Sequence, residues 1–287
     1  MSNQPTINLQ EKRDIGQVLN VTFAFIKLTF KYIYRDLSLM AAPFFILYGL
    51  IVTMVQMDAY SIYGAATIYT LPLYYVAILC LCIGWTIACC IIGNYVLQYK
   101  INRNTDFDVS EVRRAVRKDF FKLFFAFLLL YLALILGFIL LIIPGIYLAV
   151  AYSLVSTNVI LDKELGILGA FRESRRLISD NWWRSVGLGL LITLIIYAFT
   201  FVFSLPNMIY TFIIALHRGS GDVDRYRLPL IICSAFAQLA YCFTAPISVV
   251  ASAVYYYSLK EEKDQSGLMQ KIDEFGKNDA KANEGVY

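Results

Sequence analysis

The sequence predicts an all-α fold: a polytopic membrane protein with six transmembrane helices in three repeated hairpins, each preceded by a cytoplasmic amphipathic helix. Three observations predict it. First, 59% of the 287 residues are hydrophobic and only 16% charged, against about 45–50% and about 25% in soluble domains. Second, apolar segments near the roughly 20 residues that cross a bilayer recur at 37–57, 71–98, 120–143, 145–161, 182–205 and 229–259. Third, one pattern occurs three times: a cationic amphipathic stretch reaches Asp36, Asp119 or Asp180, an apolar span follows, and a second span opens at Pro72, Pro144 or Pro229.

Read in chain order, residues 15–35 form the first surface helix. Arg13, Gln17, Asn20, Lys27, Lys31 and Arg35 make a narrow polar stripe at helical spacing, and the rest of the cylinder is apolar. Such a helix belongs in the headgroup zone or against the spans, its lysines reaching outward. The first 36 residues are too polar for a signal peptide, so insertion is expected through the first span. In the second unit Asp108 and Glu111 have the spacing of a capping box. The run from 120 to 161 is too long for one crossing, and Pro144-Gly145 is predicted to turn it back. In the third unit Arg172, Glu173, Arg175 and Arg176 oppose Ile167, Leu168, Phe171 and Ile178, and Trp182-Trp183 mark an interface. Residues 206–227 are expected as an amphipathic lid with Met208, Ile213, Ile214 and Leu216 toward lipid. The domains are therefore 1–259, a six-span membrane domain with repeat units near 13–100, 108–161 and 167–259, and 260–287, a polar disordered cytoplasmic tail carrying one docking turn at Leu268, Met269, Ile272 and Phe275.

Orientation follows from the cations. The loops predicted on one side hold 22 of the 25 Lys and Arg residues, leaving Arg218, Arg225 and Arg227 opposite, so both termini are expected in the cytoplasm and the protein in the plasma (inner) membrane.

Chemistry is scarce. The spans carry no Asp, Glu, Lys or Arg away from their ends, which argues against a proton-coupled pump or an intramembrane acid–base enzyme. Gln238, Asn94, Gln98 and Asn158 are candidates to line a polar cavity, although interhelical hydrogen bonding is the stronger account of them. Arg113, Arg114, Arg117, Arg172, Arg175 and Arg176 are candidate contacts to anionic lipid headgroups. Asp36, Asp119 and Asp180 are read as acids at the N-termini of spans, where caps and the helix dipole favour them. Cys80, Cys82, Cys89 and Cys90 lack the spacing of a zinc framework and are read as small contact residues, with Ala77, Cys80, Gly84 and Ala88 on one helix side. No cofactor, metal or nucleic acid is expected; the expected partners are membrane lipids and a protein at the cytoplasmic face.

Residues 142–183, from Ile142-Ile143-Pro144-Gly145-Ile146-Tyr147 through Ala170, Arg172 and Ser174 to Asn181-Trp182-Trp183, resemble the poorly characterised membrane domains that precede bacterial glycerophosphodiester phosphodiesterase catalytic domains, and their stand-alone relatives. The stretch IGQVLNVTFAFIKLTFKYIYRDL is similar to the first helix of such domains. The resemblance implies a bacterial plasma-membrane protein without an assigned role; nothing in the 287 residues corresponds to the phosphodiesterase domain, and that activity is not carried over. The function expected is a non-enzymatic accessory or scaffold subunit acting through its cytoplasmic helices and tail, with a transporter or lipid-handling protein as the alternative.

Overall fold

The computed structural model describes residues 7–58, 72–102, 107–216 and 227–264. Every element among them is helical: α1 Ile15–Met40, α2 Ala42–Asp58, α3 Pro72–Asn102, α4 Val109–Leu140, α5 Ile142–Ala151, α6 Val155–Leu161, α7 Ile167–Ile178, α8 Trp182–Leu216, α9 Arg227–Gln238 and α10 Ala240–Asp264, with a 3-10 turn at Ser179–Asn181. Five helical stretches are long and apolar enough to cross a membrane, or six if α1 and α2, bent by 48° at Ala41, count as one. The expected Arg218 and Arg225, the docking turn at 268–275 and the end of the lid lie outside the described residues.

The centre of the bundle is α3 with α10. From Thr86 to Val96 every residue of α3 is buried, and α10 buries a nearly unbroken run from Val250 to Leu259, except Ser252. Around this core lie α1, α2, α4 and α6, while α8 shows its apolar side chains almost wholly to the outside. That exposure of Leu, Phe and Ile has lipid as its solvent; in water it would be a contiguous apolar patch far beyond what a soluble protein tolerates.

Helix α1 begins at a capping box: Asp14 accepts from the Gln17 N–H at 2.7 Å, and the Gln17 side chain accepts from the Asp14 N–H at 3.2 Å. It lies across the bundle end rather than along it. Phe25 and Asp36, about 16 Å apart on α1, meet Tyr99 and Tyr95 respectively, which are only one turn apart on α3. Arg13 departs from the expected outward stripe: it precedes the helix and is buried, its guanidinium donating to the carbonyls of Leu9 and Glu11. Burial lowers its pKa, with Glu11 opposing that shift.

Several expected boundaries move. Surface helix and span of the second unit are one unbroken helix, α4, which runs through Asp119. The reversal after it is at Leu141, in extended conformation, so Pro144 and Gly145 lie in the first turn of α5, where the missing proline N–H costs no hydrogen bond. The hairpin is tight because glycine faces glycine: a Cβ on Gly137 would come within 3.2 Å of the Gly145 Cα. The span expected at 145–161 is broken at Tyr152–Leu154. Ser174 of α7 enters that break, its buried hydroxyl donating to the Ala151 carbonyl at 2.8 Å and accepting from the Leu154 N–H at 3.3 Å. The span expected at 229–259 is likewise broken at Leu239. Residues 206–216 of the expected lid continue α8 through Pro206, and α10 runs to Asp264, into the expected tail.

Candidate functional site

The buried charges gather at one end of the bundle. Asp36, in the last turn of α1 and fully buried, accepts from the Tyr95 hydroxyl at 2.6 Å, from Arg113 at 3.0 Å and from Arg35 at 3.4 Å. These contacts join α1, α3 and α4. One turn further along α4, Asp119 accepts from the Asn94 amide at 3.0 Å and from the Lys163 ammonium. Lys163 also donates to the Asn94 oxygen at 3.3 Å, which ties the α6–α7 connection to the same seam. Asp36 and Asp119 thus overturn the expectation of N-caps: one ends a helix and the other lies inside one, and both are ion-pair acceptors. Asp180, exposed in the turn ahead of α8, pairs with Lys263 at 2.9 Å.

The lattice continues along the last turns of α10. Arg184 donates to Glu262 at 2.9 Å and to the Arg13 carbonyl, while Lys12 reaches Glu262 at 2.8 Å. Arg176 holds Glu173 at 2.7 Å and Asp264 at 3.0 Å. Lys260 bridges Asp162 at 3.3 Å and the Tyr256 hydroxyl at 3.0 Å, and Lys100 stacks over the Tyr257 ring at 4.9 Å. Each exposed pair contributes little alone. Their common effect is geometric, since α1, α4, α7 and α8 are each fastened to the α3–α10 core.

The residues expected to line a polar cavity are placed apart. Asn94 serves Asp119 and Lys163; Gln98 donates to the Glu111 carboxylate at 3.1 Å; Asn158 donates to the Ala170 carbonyl at 3.0 Å, fastening α6 to α7. Gln238 ends α9 at the α9–α10 break, against α2, where a Cβ on Gly49 would collide with its Cγ. Near it Thr53 donates to Ser234 at 2.6 Å, a membrane-depth contact between α2 and α9 that the sequence gives no means of pairing. Of the arginines expected at headgroups, Arg113 and Arg176 are engaged in the pairs above. Arg114, Arg117, Arg172 and Arg175 are exposed and have no ion pair among the described residues. The cysteines are free and no metal-ligand cluster occurs among the described residues. The small-residue face of Ala77, Cys80, Gly84 and Ala88 is buried, and a Cβ on Gly84 would press on Phe45 of α2 at 3.0 Å.

Asp108 caps α4 by accepting from the N–H groups of Ser110 at 2.9 Å and Glu111 at 3.3 Å. Glu111 turns to Gln98 instead of closing the box. The Ser110 hydroxyl, then the two backbone N–H groups, hold the Asp108 carboxyl below the usual carboxylate range. A depressed folded pKa means the cap contributes above the unfolded value of about 3.9 and is lost as pH falls through the lower folded one. Asp108→Ala is therefore expected to speed hydrogen exchange at Ser110 and Glu111 at pH 7. The difference from wild type should shrink once pH drops below the carboxylate range; a constant difference would contradict it.

A groove of about 420 Å³ opens away from the charged end, between one face of α3 (Tyr75, Leu79, Cys82, Thr86) and one face of α4 (Phe124, Leu128, Tyr131), with Tyr241 of α10 also lining it. None of Gln238, Asn94, Gln98 or Asn158 lines it.

The fold defines an all-helical protein with five or six helices long and apolar enough to cross a membrane. The chain belongs to the family described as a domain of unknown function, DUF7847, which matches residues 110–257. That stretch holds Asp119, Lys163 and Ser174 but not α1, α2 or most of α3. No curated protein and no solved structure matches the chain.

Proposed function

We propose that the protein is a non-enzymatic accessory or scaffold subunit of the plasma (inner) membrane, with its charged end and both termini cytoplasmic. The observation that supports this is the ion-pair lattice, which fastens four helices to the core at one end and leaves Arg114, Arg117, Arg172 and Arg175 outward and unpaired among the described residues. Cations on a braced surface meet anionic headgroups, or an acidic partner segment, without first losing the freedom of a loose loop. The bias of Lys and Arg to this end supports the cytoplasmic orientation.

The same lattice supports three repeated units. Asp36, Asp119 and Asp180 each pair with a cation later in the chain, Arg113, Lys163 and Lys263. The resemblance of residues 142–183 to membrane domains that accompany a phosphodiesterase supports a role beside an enzyme.

Purified from native membranes in mild detergent, the protein is expected to carry a partner that is lost from Arg172→Glu/Arg175→Glu and from a chain lacking residues 265–287. An unchanged set of co-purifying proteins in both variants sinks the proposal. Reporter fusions should place positions 114 and 175 on the same, cytoplasmic side.

A further inference from the structure

Helices α3 and α4 are closed against each other at the charged end and part toward the other. On α3, burial is complete from Thr86 to Val96 but gives way before it, where Tyr75 and Leu79 are about half exposed. On α4, Leu123 and Ala126 are buried, whereas Leu128 and Tyr131 are again about half exposed. The groove occupies the parting. Its α3 wall steps through 75, 78, 79, 82, 85 and 86, and its α4 wall through 124, 127, 128 and 131, each a single helical face.

Length identifies the occupant. From Tyr75 to Thr86 the wall is about 16 Å long, and half of a bilayer core about 30 Å thick is about 15 Å. Tyr75 is one turn inside the first residue of α3, the depth at which an aromatic hydroxyl meets headgroup and ester oxygens. Below it the wall is aliphatic and aromatic, except for the Cys82 thiol, the Trp85 indole N–H, the Tyr131 and Tyr241 hydroxyls, and Thr86, whose hydroxyl is taken up by the Cys82 carbonyl at 2.7 Å. The hydroxyls of Tyr75, Tyr131 and Tyr241 have no hydrogen-bond partner among the described residues. A site with one wet end, an apolar shaft of one leaflet's length and an opening to the side matches a lipid chain that enters laterally.

We propose that this groove binds one hydrocarbon chain of a bilayer lipid from the leaflet opposite the charged end, with Tyr75 at the headgroup boundary and Phe124, Phe127 and Trp85 around the chain's far end. The site is independent of the scaffold role, since none of its lining residues belongs to the ion-pair lattice.

Trp85 is a built-in reporter, because the other two tryptophans, Trp182 and Trp183, lie at the charged end. In a Trp182→Phe/Trp183→Phe background held in detergent micelles, phosphatidylcholine brominated along its chains is titrated while Trp85 fluorescence is followed. Saturable quenching near one lipid per chain is expected. Leu79→Phe/Cys82→Phe, which fills the shaft, should abolish the saturable phase, and Leu190→Phe on the lipid face of α8 should keep it. Quenching that rises only in proportion to the lipid content of the micelle overturns the proposal. So does a saturable phase that survives filling of the shaft. If the filled variant does not fold, native mass spectrometry of the otherwise unaltered chain decides: one phosphatidylcholine retained per chain after delipidation supports the site, and none retained overturns it.

Discussion

Arg113→Ala is expected to destabilise the bundle by about 3 kcal/mol, the low end of the range for removing one partner of a buried ion pair. The low end applies because Arg113 itself is 44% exposed and part of its attraction is screened, whereas Asp36 is fully buried. The cost is that of the carboxylate left behind. It would keep the Tyr95 hydroxyl at 2.6 Å and Arg35 at 3.4 Å, with water excluded from the remaining lone pairs. Asp36→Asn in the Arg113→Ala background should then recover most of the loss, since a neutral amide has no charge to strand. Melting temperatures of the two single variants and the double variant in one detergent provide the test. Additive losses would show that Arg113 acts through something other than Asp36.

What the sequence reveals about this molecule depends on which solvent does the selecting. Lipid selects long apolar runs, so the segments at 71–98, 120–143 and 182–205 can be read directly and recur as α3, α4 and α8. The helix breaks could not be read the same way. Nothing in Tyr152-Ser153-Leu154 marks a break; its cause is the Ser174 hydroxyl arriving from another helix. Asp36 and Asp119 mislead for a related reason. Position relative to an apolar run suggests a cap, but which cation returns to them is set by how α4 and the α6–α7 connection fold back. The same return takes Arg113 and Arg176 out of the outward-facing set. The groove was half legible, since both walls show aromatic residues at helical spacing, but spans that are apolar all round do not tell which face meets which neighbour.

Gly93→Ala is expected to cost about 1–3 kcal/mol, the range for overfilling a packed interior, at a position with no part in any hydrogen-bonded side-chain network. A Cβ there would come within 2.7 Å of the Ile160 Cγ2 and 3.0 Å of its Cδ1. Isoleucine cannot swing away cheaply, because its branched Cβ leaves few rotamers in a helix and Ile160 is almost fully enclosed. The consequence reaches the charged end: α6 stops at Leu161, and Lys163, two residues on, is the cation that neutralises Asp119. Pushing α6 away from α3 therefore loosens that pair as well. In an Ile160→Ala background the obstructing atoms are gone, and the same Gly93→Ala change should be close to neutral. Non-additivity of that size marks direct contact between two side chains. An equal penalty in both backgrounds would mean that Gly93 is needed for some other reason than the close approach of α3 and α6.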